Sequence, residues 1–104
     1  MKALMIVARD SMVSELEKLL HDNGINAYSM LNKVGGKGTT GQVYESFFHT
    51  GHVGFNLMIL AVLPSDQADR AASVLKAFHA AGVKDAHGEP IPFKLFSFPC
   101  EELI

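Results

Sequence analysis

The residues best suited to chemistry lie in the stretch NKVGGKGTTGQVYESFFHTGH, residues 32–52. Four glycines stand in its first half, and Lys37 lies among them. Glycine allows positive φ and close approach of backbone N–H groups to an anion, and a lysine adds positive charge. The glycine segment therefore predicts an anion-binding site. It is not a P-loop, because the spacing G-x-x-x-x-G-K-[ST] is absent.

Histidines supply a second possible chemistry. His49 and His52 are three residues apart, His87 lies in a later turn, and Cys100 is the single cysteine. Imidazole and thiolate are ligands for zinc, copper or nickel. A metal site formed by His49, His52 and His87, with Cys100 as a further candidate ligand, is therefore the alternative hypothesis.

Aromatic residues follow the glycines in the same stretch. They could form an exposed hot spot for a target protein, or they could cover the sheet or a neighbouring subunit. The candidate partner-binding residues are Tyr44, Phe47, Phe48, His49 and His52. No nucleophile with an adjacent base, pair of buried acids or cofactor fingerprint is recognisable, so an enzyme is not expected.

Hydrophobic periodicity and turn residues predict the order β-α-β-β-α-β. Side-chain oxygens after the first strand and around Pro64 are expected to cap the two helices, which end at glycines. The predicted strands are residues 2–8, 25–34, 55–63 and 91–98, and the helices follow Asp10-Ser11 and Pro64-Ser65-Asp66. This order gives a ferredoxin-like α+β sandwich, a four-stranded antiparallel sheet with two helices on one face.

The length, net charge and cysteine content of the chain restrict the possible functions further. The 104 residues suffice for a single domain, residues 1–104, and the formal net charge of −2 with nine scattered Lys and Arg argues against a nucleic-acid partner. No signal peptide or bilayer-spanning run is recognisable, so no direct membrane insertion is expected. A lone cysteine fits a reducing compartment, and a cytoplasmic location is expected.

Two features of the predicted fold call for partners. One sheet face lacks helices, and apolar residues such as Met5 or their alternating neighbours must lie on it, which predicts an oligomer. The predicted loop of residues 35–54 joins two adjacent strands, although a hairpin needs only two to five residues. A loop of this length in a small domain is usually functional or disordered.

The element order, the entry GINAYSMLNKVGGKG into a long loop, the tyrosine within it, and the exit FNLMILAVLPSDQADRA resemble the PII signal-transduction proteins and their PII-like relatives. The resemblance implies a ferredoxin-like homotrimer that binds adenine nucleotides between subunits. It also implies a long T-loop that regulates a target such as a membrane transporter or an enzyme. The residues it assigns to the effector site are Val34, Gly35, Gly36, Lys37, Gly38, Gln42 and Gly88.

The chain departs from the family pattern where phosphates are bound. The glycine-rich segment after the second helix is reduced to AGVKDAHGE, and no basic residue follows Lys94. The expected effector is therefore ADP, AMP or cyclic AMP rather than ATP, with no tightly bound cofactor. Beside the metal alternative, a purely structural oligomerisation module is a third possibility.

Overall fold

The computed structural model describes residues 1–32, 36–37, 43–44, 57–82, 84, 88 and 92–104. Six strands, one short 3-10 turn and two α-helices lie in these ranges. They are β1 (Lys2–Ala8), the 3-10 turn (Asp10–Met12), α1 (Val13–Asp22), β2 (Ser29–Asn32), β3 (Gly36–Lys37), β4 (Val43–Tyr44), β5 (Leu57–Leu63), α2 (Ser65–Ala81) and β6 (Lys94–Pro99).

Four of the strands form one antiparallel sheet in the order β2-β5-β1-β6. Strand β1 lies at its centre, with Ile6 opposite Ile59 of β5 and Leu95 of β6. The α-helices follow β1 and β5. The predicted ferredoxin-like fold is confirmed, including the long connection between β2 and β5, within which β3 and β4 form a separate two-stranded ladder.

The core fills the space between the sheet and the helices. Alternate residues of the central strands supply one side of it, and apolar faces of both helices supply the other, as their periodicity predicts. Its fully buried large side chains are Leu4, Ile6, Met12, Leu16, Ile25, Leu57, Ile59 and Leu75. On α2, Ala68, Ala71 and Leu75 are buried, while Ala72 and Phe78 are half-buried.

The other side of the sheet is apolar and partly open to solvent. The alternating residues that do not join the core include Met5, which lies opposite Phe96 and Leu60. Large side chains on this face keep substantial exposure: Leu31 54%, Val62 43%, Phe96 51% and Phe98 40%. We call these four residues, together with Met5, Val7, Met58 and Leu60, the outer face.

The turn after α1 replaces part of the predicted second strand. Gly24 has φ +79, its amide donates to the His21 carbonyl at 3.0 Å, and the Ile25 amide donates to the Leu20 carbonyl at 2.9 Å. This is a Schellman motif, in which two carbonyls at a helix end are satisfied. Ile25 is 2% exposed and completes the core from this turn, so β2 begins only at Ser29.

The predicted helix caps were wrong in detail. The expected cap at Asp10-Ser11 is instead the start of the 3-10 turn, and Met12, with no side-chain cap hydrogen bond, precedes α1. Pro64 precedes α2 in the same way. Neither Met12 nor Pro64 supplies a side-chain oxygen at the helix start. Neither described helix is long and apolar enough to cross a bilayer.

Candidate functional site

The glycine segment and the loop tyrosine are neighbours in the backbone. Gly36 lies opposite Tyr44, and Lys37 lies opposite Val43, in the antiparallel β3–β4 ladder. Inter-strand N–H···O=C bonds hold such a pair of strands about 4.8 Å apart. The structure thus brings one predicted effector segment beside one predicted partner segment.

Gly88 is the described member of the predicted site outside the long connection. It is exposed and has φ +78, and a Cβ added there would meet no atom within 4 Å. The positive φ angle, and not a lack of space for a side chain, therefore favours glycine at this position. The turn after α2 thus contains a left-handed glycine, and the role of Gly88 in an effector site stays a prediction.

The other predicted site residues lie outside the described ranges. They are Val34, Gly35, Gly38, Gln42, Phe47, Phe48, His49, His52 and His87. Cys100 is half-buried, and its amide donates to the Met1 carbonyl at 3.1 Å. In the part of the chain that the structure describes, no three His, Cys, Asp or Glu side chains are grouped as metal ligands. The metal hypothesis based on His49, His52 and His87 stays a prediction.

A cleft of about 540 Å³ lies beside the end of α1 and the segment that leads into β2. Burial raises the pKa of Tyr28 in this cleft, and the neighbouring Glu17 carboxylate, which accepts a hydrogen bond from the phenol, raises it further. His21 Nδ1 lies 2.9 Å from Asn26 Oδ1 on the same side. Sequence reasoning missed this cleft, because its residues are individually ordinary and meet only when the turn at Gly24 folds.

The whole length of the fold matches one protein family. The family model for nitrogen regulatory protein P-II matches residues 1–103. The chain belongs to this P-II family. The resemblance stated from the loop entry and exit is therefore confirmed over nearly the entire sequence, beyond the two segments that first suggested it. No curated protein matches the chain at a significant level.

Solved structures of a PII-like protein have the same fold. CPII from Thiomonas intermedia K12, described as a nitrogen regulatory PII-like protein bound to ADP, AMP and bicarbonate, superposes with a TM-score of 0.63 at 20% identity. The match covers 93% of this chain and 84% of that one. CPII bound to ADP, AMP and acetate superposes with a TM-score of 0.58 at 17% identity, and the match covers 97% of this chain and 88% of that one.

The apo form of CPII is also similar, with a TM-score of 0.55 at 17% identity, covering 93% of this chain and 87% of that one. At these identities the comparison establishes the shared fold. The family is named for nitrogen regulation, and the match of its model to residues 1–103 places this chain in it.

Proposed function

We propose that this P-II family member is a regulatory protein, not an enzyme, that senses an adenine nucleotide, with ADP or AMP as the preferred effector. The observation that carries the proposal is the pairing of Gly36–Lys37 with Val43–Tyr44. The effector segment would be Val34 to Gly38 with Gln42 and Gly88. Support comes from family membership and from CPII, whose structures contain ADP and AMP.

The choice of a nucleotide with few phosphates rests on charge. Each added phosphate brings negative charge that needs cationic or N–H partners. Lys37 lies in the glycine segment, but residues 95–104, where the family pattern expects phosphate-clamping arginines, contain no basic residue. ADP, AMP and cyclic AMP therefore fit the available donors better than ATP.

Signalling would follow from a difference in effector affinity between two states of the long connection. A ligand shifts a conformational equilibrium only by as much as its affinities for the two states differ. An effector bound at Gly36–Lys37 favours one arrangement of the paired Val43–Tyr44. This changes how Tyr44, Phe47, Phe48, His49 and His52 meet a target, which we propose to be a transporter or an enzyme.

Assembly as a homotrimer completes the proposal, with one domain per chain. The outer face exposes several large apolar side chains on one side of the sheet, and such a surface commonly marks an association site. Packing three copies through it would bury Phe96 and Phe98 and place effector clefts between subunits. A cytoplasmic location is proposed with it, because the sequence has a single cysteine.

Isothermal titration with ADP, AMP, cyclic AMP and ATP tests the proposal, with the mass measured by light scattering beforehand. We expect a trimer that binds ADP or AMP at micromolar affinity and ATP more weakly. Absence of heat with all four nucleotides would reject the nucleotide function. A thermal-shift series with zinc, copper and nickel, on the parent and on His49→Ala/His52→Ala, would then decide the metal hypothesis.

A further inference from the structure

The cleft beside the end of α1 contains a group of side chains that the proposed effector site does not use. One wall is a face of α1, with the helical spacing i, i+3, i+4 and i+7: Ser14, Glu17, Lys18 and His21. The other wall consists of Ile25, Asn26 and Tyr28, and the structure describes every residue from α1 through β2. Glu17 and His21, four positions apart, are therefore neighbours on the helix surface at this cleft.

Asn26 fixes the orientation of the His21 ring. His21 Nδ1 lies 2.9 Å from Asn26 Oδ1. Because an amide oxygen only accepts hydrogen bonds, the proton of the neutral ring is on Nδ1, and Nε2 keeps an available lone pair. Histidines that bind metals are commonly held in this way, with the other ring nitrogen donating to an oxygen. The contact therefore prepares Nε2 of the exposed His21 as a metal-binding atom.

Tyr28 holds the Glu17 carboxylate in the same manner. The phenol of the half-buried Tyr28 donates a hydrogen bond to this carboxylate. A carboxylate has two oxygens with several lone pairs, so one hydrogen bond leaves it able to bind a cation. Carboxylates that bind metals are themselves usually hydrogen-bonded by a further residue. Glu17 and His21 thus each have a positioning partner in the segment between α1 and β2.

The charges around this pair favour a cation. Lys18 also lines the cleft, but its Nζ lies 2.6 Å from Asp22 Oδ2, so its charge is balanced by that carboxylate. The hydrogen bond that Glu17 accepts comes from a neutral phenol, which leaves the charge of Glu17 in place. One negative charge therefore remains beside the His21 ring, and it attracts a positive ion.

We propose that Glu17 and His21 bind a divalent transition-metal ion at this cleft, through a carboxylate oxygen of Glu17 and Nε2 of His21. Side chains four positions apart on a helix bind one ion in helical zinc motifs. Imidazole nitrogen favours zinc, copper or nickel over magnesium and calcium. Water would complete the coordination, and the cleft of about 540 Å³ has room for it. With two protein ligands, this site agrees with the absence of a three-ligand group among the described residues.

The proposed metal site is separate from the sites predicted from the sequence. It shares no residue with the β3–β4 ladder or with the outer face. It also differs from the metal hypothesis based on His49, His52 and His87. The metal site therefore does not depend on nucleotide binding, and the two proposals succeed or fail separately.

NMR titration of the full chain with zinc chloride tests the proposal. We expect saturable shifts at the backbone amides of residues 17–28. In spectra of the ring nitrogens, zinc should shift Nε2 of His21 while Nδ1 keeps its proton. These spectra distinguish His21 from the other histidines of the chain, so zinc bound by His49 and His52 would be seen as a separate event. Zinc-dependent shifts that spare residues 17–28, or coordination through Nδ1, would overturn the proposal.

Glu17→Gln keeps the shape of the side chain and removes its charge, so it should weaken zinc binding at residues 17–28 by about tenfold or more. Glu15→Gln is the matched control, because it removes the same charge from the same helix, and Glu15 lines a different cleft. Zinc affinity should be unchanged in this control. Equal zinc affinities of the Glu17→Gln and Glu15→Gln variants would overturn the proposal.

Asn26→Ala tests the positioning of His21. It should weaken zinc binding about tenfold, since the ring loses the partner that holds it. In the metal-free variant, the ring nitrogen spectrum should show that the preference for a proton on Nδ1 is lost. Asn26→Asp, which keeps an oxygen acceptor for Nδ1, should bind zinc at least as tightly as the parent does. Parent-like zinc affinity in the Asn26→Ala variant would contradict the positioning role.

Discussion

Gly36 lies opposite Tyr44 in the ladder of β3 and β4. One strand belongs to the glycine segment expected to contact an effector, and the other begins the aromatic segment expected to contact a target. Backbone hydrogen bonds between the strands couple their positions directly. A change in the backbone position of Gly36 can therefore shift the backbone of Tyr44 directly, without intervening side-chain contacts.

Lys37→Ala is expected to weaken ADP binding about tenfold, because a charged hydrogen bond to phosphate is lost. We expect the melting temperature to stay unchanged. Isothermal titration and a thermal melt measure the two quantities.

Lys18→Ala serves as the control for Lys37→Ala, because it removes a lysine whose Nζ pairs with Asp22 instead. ADP affinity should be unchanged in this control. An equal affinity of the Lys37→Ala variant and the parent for ADP would exclude Lys37 from the effector site.

Phe96→Glu is expected to convert the proposed trimer to monomers of 11.3 kDa. Phe96 is 51% exposed on the outer face, opposite Met5. A carboxylate there would have to be buried without a partner when copies associate. Light scattering measures the mass, and Ala77→Glu on the exposed side of α2 is the matched control. A trimer that survives Phe96→Glu would place the assembly interface elsewhere.

Gly24→Ala is expected to destabilise the protein by about 1 kcal/mol, because Ala is strained at positive φ. No atom lies within 4 Å of a Cβ built at Gly24, so the cost arises from conformation and not from a clash. Gly24→Asn should lower the free energy of unfolding less than Gly24→Ala does, since Asn tolerates the left-handed region better than Ala. Urea denaturation measures both changes. Equal stability of the Ala variant and the parent would show that the Schellman turn does not require glycine.

The Lys18–Asp22 pair predicts a pH dependence. The hydrogen bond from Lys18 is the main reason that the pKa of Asp22 lies below the ordinary value for aspartate. A lowered pKa in the folded state stabilises the fold above the pKa of an unfolded aspartate, about 3.9, and the contribution is lost as the pH falls through the folded pKa.

Lys18→Met should therefore raise the pKa of Asp22, as measured by NMR titration of its carboxyl carbon. The melting temperatures of the parent and the variant should converge in acid. Lys76→Met, which removes a lysine without a described ionic partner, should leave the pKa of Asp22 where it is. An unchanged pKa of Asp22 in the Lys18→Met variant would show that the pair does not form in solution.

The sequence predicted the fold well where periodicity and burial agree. The core residues Leu57 and Ile59 alternate as a buried strand should, and Gly24 and Gly82 end their helices with positive φ. The start of β2 was misjudged because Ile25, a strand-forming residue, is used to bury the turn after α1. An apolar residue at such a position indicates that the side chain is buried, but it does not indicate which backbone conformation the residue adopts.

The candidate sites were predictable only where neighbours in sequence are also neighbours in space. Gly36 and Lys37 could be proposed as an effector segment because they are adjacent and have suitable chemistry, and their role stays a prediction. His21, Asn26 and Tyr28 were not recognised, since only the turn at Gly24 brings them to one cleft. In the proposed trimer, the affinity of the effector segment would depend in addition on how copies of the chain assemble.

Hydrogen–deuterium exchange of residues 36–52, with and without ADP, tests the central claim most directly. The account predicts that ADP slows amide exchange around Gly36 and Tyr44 together, because the two strands are hydrogen-bonded, and that exchange in β1 stays unchanged. Lys37→Ala should reduce this protection at a given ADP concentration. Identical exchange at residues 36–52 with and without saturating ADP would contradict the proposed nucleotide switch.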